Sequence, residues 1–177
     1  MNAIEIRQLQ KSYPGFDLGP LDLSLPQGCI MGLIGENGAG KTTTIRLILD
    51  MLQRDGGSIR LLGRGDGEDV MLTREEDHSI LISSHILSDL EKLCDYIAFL
   101  HKGQLLLCEE KDLLLSEYCI LRCTAAELNA LPKEAIKGRK ENPYGVTAIV
   151  RRDAAPAGAN TSPISIEELF VFMVKEA

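Results

Sequence analysis

Apolar residues follow strand-like and helix-like patterns along the first half of the chain. Residues 3–7 and 21–25 alternate between apolar and polar positions, which predicts two strands that each bury one face. Residues 29–34 form a continuous apolar run, which predicts a strand buried on both faces. A helix is predicted directly after it, because apolar residues recur at i, i+3, i+4 and i+7: Ile45, Ile48, Leu49 and Leu52.

Turn residues separate these elements. Pro14, Gly15 and Gly19 predict that residues 8–19 are a loop, and residues 26–28 a turn into the buried strand. Further along the chain, short strands are predicted at 59–62 and 79–84, and a helix follows with Ile86, Leu90 and Leu93 on one face. A hairpin is predicted last in this half, with its strands at 96–100 and 104–108.

The rest of the chain reads as a small α+β piece. A helix is predicted at 109–116, strands at 118–124 and 145–152, and a loop at 154–163. Residues 165–168, Ser-Ile-Glu-Glu, have the capping-box pattern that begins a helix. The apolar face of this helix would contain Ile166, Leu169, Phe170 and Met173. The sequence therefore predicts two domains, at 1–108 and 109–177.

A phosphate-binding loop is the strongest chemical signal. Residues 35–42, Gly-Glu-Asn-Gly-Ala-Gly-Lys-Thr, fit G-x-x-x-x-G-K-[ST], and they lie between the buried strand and the helix, which is the context the motif needs. Glycines allow backbone N–H groups to approach phosphate oxygens, and the helix start adds unpaired donors. Lys41 would supply charge for the outer phosphates, and the Thr42 hydroxyl would bind Mg²⁺. The alternative is an ordinary glycine-rich turn.

Composition narrows the class of protein. The net charge is −7, from 19 Lys and Arg against 26 Asp and Glu, which argues against nucleic acid as the main partner. No apolar run is long enough to cross a membrane, and we expect neither a membrane span nor a signal peptide. The five cysteines form no C-x-x-C pair and are expected to be reduced, partly buried thiols.

The order of these segments resembles an ABC-transporter ATP-binding subunit of the bacterial exporter type. The resemblance lies in Lys11-Ser12-Tyr13, residues 21–28, residues 35–44 and residues 55–59, and it resumes after residue 78. It implies an α/β fold, with a P-loop NTPase-like core, a truncated mixed sheet and a small C-terminal α+β extension. It also implies ATP and Mg²⁺ as ligands, a membrane-embedded permease or a second copy of the chain as partner, and a cytoplasmic location at the inner face of the membrane.

The resemblance also implies functional residues. Tyr13 corresponds to the aromatic that stacks on adenine, with Phe16 as a weaker candidate and packing on the sheet edge as the alternative. His85, after Ser83-Ser84, corresponds to the histidine that contacts the γ-phosphate, whereas His78 and His101 are interpreted as surface residues. Nucleotide contacts are expected at Tyr13, Gly35, Asn37, Gly38, Ala39, Gly40, Lys41, Thr42 and Thr43.

The chain departs from the family between the phosphate loop and His85. No Gln lies between Gln53 and Gln104, no Ser-Gly-Gly signature is present, and no Asp is followed by Glu. In the family the Asp-Glu pair helps to hold Mg²⁺ and polarises the attacking water. We therefore expect an ATP-binding subunit with impaired hydrolysis, or alternatively a non-catalytic nucleotide-binding remnant or regulatory module. A small P-loop kinase is disfavoured by Tyr13 and by the strand before His85.

The same gap makes a prediction about the sheet. The strand at 79–84 should pair in parallel with the strand at 29–34, and the loss of its other neighbour should leave it at an edge. Its central residues are apolar and largely β-branched, a composition that favours self-association through unpaired backbone groups.

Overall fold

A computed structural model describes residues 1–65, 78–84, 87–143 and 145–176. The chain divides into two compact units, Met1–Glu110 and Lys111–Ala177, which we call the N-terminal and C-terminal units. No helix in the described ranges is long and apolar enough to cross a membrane. The N-terminal unit contains β1 (Asn2–Tyr13), β2 (Phe16–Pro26), β3 (Ile30–Gly35), α1 (Lys41–Ile48), β4 (Gly56–Leu61), β5 (Ile80–Ser83), α2 (Leu87–Leu93), β6 (Tyr96–His101) and β7 (Gln104–Glu110).

The first sheet is antiparallel, with strand order β2-β1-β4. The prediction of a loop at 8–19 is wrong, because β1 continues to Tyr13 and β2 begins at Phe16 after a two-residue turn. The β1–β2 register shifts between Ile6 and Leu9, and Gln8 has a φ of 49°. Such a bulge interrupts the alternation of apolar and polar residues, which is why the pattern hid the second half of the strand.

The second sheet is mixed, with strand order β5-β3-β6-β7, and it carries the phosphate-loop strand β3. β3 is parallel to both of its neighbours, and its register pairs Ile30 with Ile80 and Gly35 with Leu100. The predicted parallel pairing of the two strands is thus confirmed. β5 lies at the edge of this sheet in the described chain, and Ile80 is 47% exposed. Since carboxyl ends of parallel strands meet at one sheet edge, β3, β5 and β6 all point towards the phosphate-loop region.

The helix after the loop is shorter than predicted. α1 ends at Ile48, and the following Leu49 is 60% exposed, so its predicted place on the buried face is wrong. Asp50 has a φ of 52°, a left-handed conformation that ends the helix. Leu47 and Ile48 are the apolar residues that α1 buries, in one core with both sheets. In α2 likewise only Leu90 is buried, while Leu93 is 58% exposed and Ile86 lies outside the described residues.

The C-terminal unit contains α3 (Lys111–Glu117), β8 (Tyr118–Cys123), α4 (Ala125–Asn129), β9 (Ile136–Asn142), β10 (Gly145–Arg151), β11 (Asn160–Ser162) and α5 (Ile166–Glu176). Its strands form an antiparallel sheet of order β11-β8-β10-β9. The Ser165–Glu168 capping box is confirmed: Ser165 N–H donates to Glu168 Oε2 over 3.0 Å, and Glu168 N–H donates to Ser165 Oγ over 3.2 Å.

Sequence patterns missed three elements of this unit. α4 follows Thr124, which forms a second capping box with Glu127. β9 is rich in Lys and Arg and lacks the expected alternation, and β11 falls inside the predicted loop at 154–163. The helix predicted at 109–116 begins two residues later than predicted, at Lys111, because Glu109 and Glu110 still pair with β6 as part of β7. These patterns are weak since short edge elements bury few side chains.

Candidate functional site

The segment between β3 and α1 has the backbone shape that anion binding requires. Gly38 and Gly40 have φ values of 81° and 106°, a region that side-chain-bearing residues rarely adopt. Ala39 N–H donates to the Glu36 carbonyl over 3.1 Å, and Thr44 N–H donates to the Gly40 carbonyl over 2.9 Å. The loop therefore closes a tight turn directly before α1, whose first N–H groups lack partners within the helix.

Lys41 is held by the loop it belongs to. Its Nζ donates to the Gly35 carbonyl over 2.5 Å and to the Glu36 carbonyl over 2.9 Å. Burial lowers the pKa of the Lys41 ammonium, because a partly desolvated cation loses hydration. An anion next to the ammonium group would favour its charged form. An ammonium group has three N–H donors, so with two on loop carbonyls one remains for an oxygen of a ligand such as a phosphate group.

A cavity of about 460 Å³ opens over the loop, within the size range of small-molecule sites. Gly40 lets the loop pack closely against β2, because a Cβ atom built on it would lie 2.5 Å from Leu18 Cδ1 and 3.2 Å from Phe16 Cζ. Thr42 is exposed at the start of α1, where its hydroxyl could bind a metal ion carried by phosphates. The cavity is lined by Phe16, Asn37, Gly38, Ala39, Gly40, Lys41, Thr42 and Thr43.

The structure brings most of the predicted site residues together and separates the two aromatic candidates. Phe16 lines the cavity and is half-buried. Tyr13 lies opposite Phe16 across the two-residue turn, is not among the described lining residues, and is 38% exposed with Lys11 Nζ 5.7 Å from its ring centroid. Gly35 lies at the end of β3 and contributes its carbonyl to Lys41. Sequence order alone favoured Tyr13, because it does not show which side of a turn faces the loop.

The turn between β6 and β7 supports the loop from behind. Gly103 N–H donates to the Ala39 carbonyl over 3.0 Å, and the Gly103 carbonyl accepts from Gly19 N–H over 2.7 Å. Gln104 Nε2 also donates to the Gly19 carbonyl over 2.8 Å. Gly103 is thus hydrogen-bonded both to β2 and to the phosphate loop.

The three histidines lie in different environments. His85 falls outside the described residues, and His78 is exposed, as the sequence predicted. The interpretation of His101 as a surface residue is wrong: it is 5% exposed, and its Nδ1 lies 3.5 Å from Glu36 Oε2 in the phosphate loop. A signal for this was present, since strand alternation places His101 on the same sheet face as the buried Ile97 and Phe99.

Comparison with known proteins points to one family. The family model described as "ABC transporter" matches residues 18–91. The daunorubicin/doxorubicin resistance ATP-binding protein DrrA of Streptomyces peucetius is 47% identical over 62 residues, which cover 34% of this chain and 19% of that protein. The probable multidrug ABC transporter ATP-binding protein YbhF of Escherichia coli is 40% identical over 64 residues, which cover 34% and 11%. The chain thus spans less than a fifth of the length of these relatives.

A solved structure of the ATP-binding subunit of an ABC transporter shows the same fold. It superposes with a TM-score of 0.52 and 17% identity, over 62% of this chain and 90% of the other. This likeness confirms the predicted mixed α/β, P-loop NTPase-like architecture. The segment that the family model matches contains β3, the phosphate loop, α1, β4 and β5. Over residues 18–91, this chain is similar to the ATP-binding proteins of ABC transporters.

Proposed function

We propose that the chain binds Mg·ATP at the loop between β3 and α1. The observation that carries this proposal is the position of Lys41, whose ammonium group is fixed by two loop carbonyls beside a cavity lined by residues 37–43. The triphosphate would lie on the loop amides, and Thr42 would hold Mg²⁺ together with the phosphates. Phe16, which lines the same cavity, is the aromatic best placed to stack on the base.

Nucleotide binding would serve an export-type ABC transporter. The chain would act as an ATP-binding subunit at the inner face of the membrane, with a membrane-embedded permease as its partner and a second copy of the chain as a further one. This proposal is supported by the match of residues 18–91 to the ABC transporter family model and by the similar proteins, which include drug-resistance and multidrug transport proteins.

Hydrolysis is proposed to be impaired. In-line attack on the γ-phosphate needs an oriented water and a neutralised transition state. Because no Asp in the chain is followed by Glu, the family's acidic pair cannot supply these functions here. The same observation favours a second candidate function, that of a nucleotide-binding regulatory module without turnover. His85 would contact the γ-phosphate in either case.

Binding and turnover should be measured on one purified sample. We expect calorimetry to show Mg·ATP binding that is weakened about tenfold to a hundredfold by Lys41→Ala, because a charge-assisted hydrogen bond contributes roughly 1.5–3 kcal/mol. Lys92→Ala, which removes an exposed lysine of α2, is the matched control and should leave affinity unchanged. Equal affinity of wild type and Lys41→Ala would overturn the proposed site.

Phosphate release should stay close to the background rate. Steady-state hydrolysis that Lys41→Ala abolishes would show that another acidic residue orients the water. Glu75 and Glu76, outside the described residues, would then be the first candidates to replace. Hydrolysis that persists in Lys41→Ala would come from a contaminating enzyme and would leave the background expectation intact.

A further inference from the structure

His101 is a buried polar residue that the proposed nucleotide contacts do not use. It ends β6, is 5% exposed, and neither ring nitrogen makes a hydrogen bond to the described residues. Burying an imidazole without partners is unfavourable, so its surroundings should show what compensates for it. Its Nδ1 lies 3.5 Å from Glu36 Oε2, which is within ion-pair distance although too long for a well-formed hydrogen bond.

Glu36 connects this imidazole to the phosphate loop. The backbone carbonyl of Glu36 accepts hydrogen bonds from Ala39 N–H over 3.1 Å and from Lys41 Nζ over 2.9 Å. The position of Glu36 therefore fixes both the turn of the loop and the ammonium group. Its side chain is 58% exposed and is not among the described residues that line the cavity.

A carboxylate in a phosphate-binding loop creates an electrostatic problem. The Glu36 side chain is 58% exposed, and in a rotamer that points towards the cavity its negative charge would repel an anion. An imidazole that carries a proton on Nδ1 attracts the carboxylate, either as a hydrogen-bond donor or as a cation. His101 is suited to this role because it belongs to a buried strand and cannot follow the carboxylate into solvent.

We propose that His101 is a positioning residue of the phosphate loop, which holds the Glu36 carboxylate away from the anion that the loop binds. The inference rests on the proposed function, since it concerns the affinity of that same loop for phosphates. His101 touches no ligand in this arrangement. It acts through Glu36, and its effect should disappear when Glu36 no longer carries charge.

A double-mutant cycle separates this role from simple core packing. We expect His101→Asn to weaken Mg·ATP binding about fivefold, as for a partly exposed ion pair. Glu36→Gln should bind at least as tightly as wild type, and adding His101→Asn to Glu36→Gln should cost less than twofold. A packing role would instead weaken binding equally in both backgrounds, and that result would overturn the inference. His78→Asn is the matched control, because His78 is exposed.

A second measurement does not depend on whether His101→Asn folds. The chain has three histidines, so ¹⁵N-histidine labelling gives signals from three imidazole rings, with two nitrogens each, which single substitutions assign. Glu36→Gln should shift the His101 signal in the free protein and leave the His78 signal in place. An unmoved His101 signal would overturn the inference. Failure of wild type to bind Mg·ATP would overturn the proposed function and this role with it, whereas tight binding without coupling would overturn this role alone.

Discussion

Substitution of Gly103, in the turn between β6 and β7, should destabilise the fold, although the residues next to it in sequence are exposed. Lys102 and Gly103 connect the strands with φ values of 45° and 80°, as in the tight hairpin turns that favour glycine. A Cβ atom built on Gly103 would lie 1.9 Å from the carbonyl oxygen of Asp17. That oxygen belongs to the backbone of β2 and cannot rotate away, so Gly103→Ala must displace the turn.

Displacement would break the two hydrogen bonds that join this turn to the phosphate loop and to β2. Each backbone hydrogen bond contributes about 0.5–1.5 kcal/mol, and alanine in a left-handed conformation costs about 1–2 kcal/mol. We therefore expect Gly103→Ala to lower the free energy of unfolding by about 2–5 kcal/mol. A loss of this size is a large part of the about 5–15 kcal/mol that stabilises a typical domain.

Gly15→Ala is the matched control for backbone strain. Gly15 lies in the two-residue turn between β1 and β2 with a φ of 84°, but a Cβ atom built on it meets nothing within 4 Å. It should therefore cost only the about 1–2 kcal/mol of left-handed alanine. Urea unfolding followed by circular dichroism measures both variants, and calorimetry measures their Mg·ATP affinity. Equal losses of stability, with unchanged affinity in Gly103→Ala, would refute the role of the turn as a support for the loop.

Three further predictions concern other parts of the N-terminal unit. Phe16→Ala should weaken Mg·ATP binding about tenfold by removing a stacking surface, and Tyr13→Ala should weaken it less; the reverse order in calorimetry would assign the base to Tyr13. Asp55 accepts hydrogen bonds from Lys11 Nζ and from the Ser12 N–H, both 2.7 Å, and these lower the pKa of its carboxyl group. The pairing therefore stabilises the fold at pH values above the pKa of Asp55 in the unfolded state. This stabilisation is lost as the pH falls through the pKa of Asp55 in the folded state. Asp55→Asn should flatten the acid limb of an unfolding-versus-pH curve, and an unchanged limb would contradict this. The protein should self-associate through the exposed edge of β5. The amides of β5 should therefore be weakly protected from hydrogen exchange in dilute monomer and more protected as the protein concentration rises. Strong protection in a sample that stays monomeric would show that the edge is already covered.

The parts of the fold that could be predicted from sequence are those with a strong local cause. Glycines at 35, 38 and 40, followed by Lys41, specify a loop that few other sequences form, and the continuous apolar run before them indicates a buried parallel strand. The parallel pairing of β3 with β5 followed from the position of these strands in P-loop proteins. These features are set within a few residues of chain, or by a topology that many sequences share.

Features that depend on tertiary contacts could not be predicted in the same way. The second half of β1 was hidden because a bulge at Gln8 breaks the alternation of its side chains. Phe16 could be placed at the cavity only from the path of the β1–β2 hairpin. His101 looked like a turn residue because Lys102 and Gly103 follow it, although its own side chain faces the core. In each case the local sequence pattern is ambiguous, and packing against the neighbouring strand determines the structure.

The phosphate loop owes its shape to contacts that lie within the N-terminal unit. Lys41 holds the carbonyls of Gly35 and Glu36, the β6–β7 turn holds the Ala39 carbonyl, and His101 faces the Glu36 carboxylate. Not one of these contacts involves the family segments that the chain lacks between the loop and residue 85. The residues that shape the loop and the residues that the family uses for hydrolysis are therefore separate sets, and the described contacts of the first set lie in β3, α1 and the β6–β7 hairpin. A sequence that loses the second set can keep the first, and the fold gives no reason for the loop to change when turnover is lost.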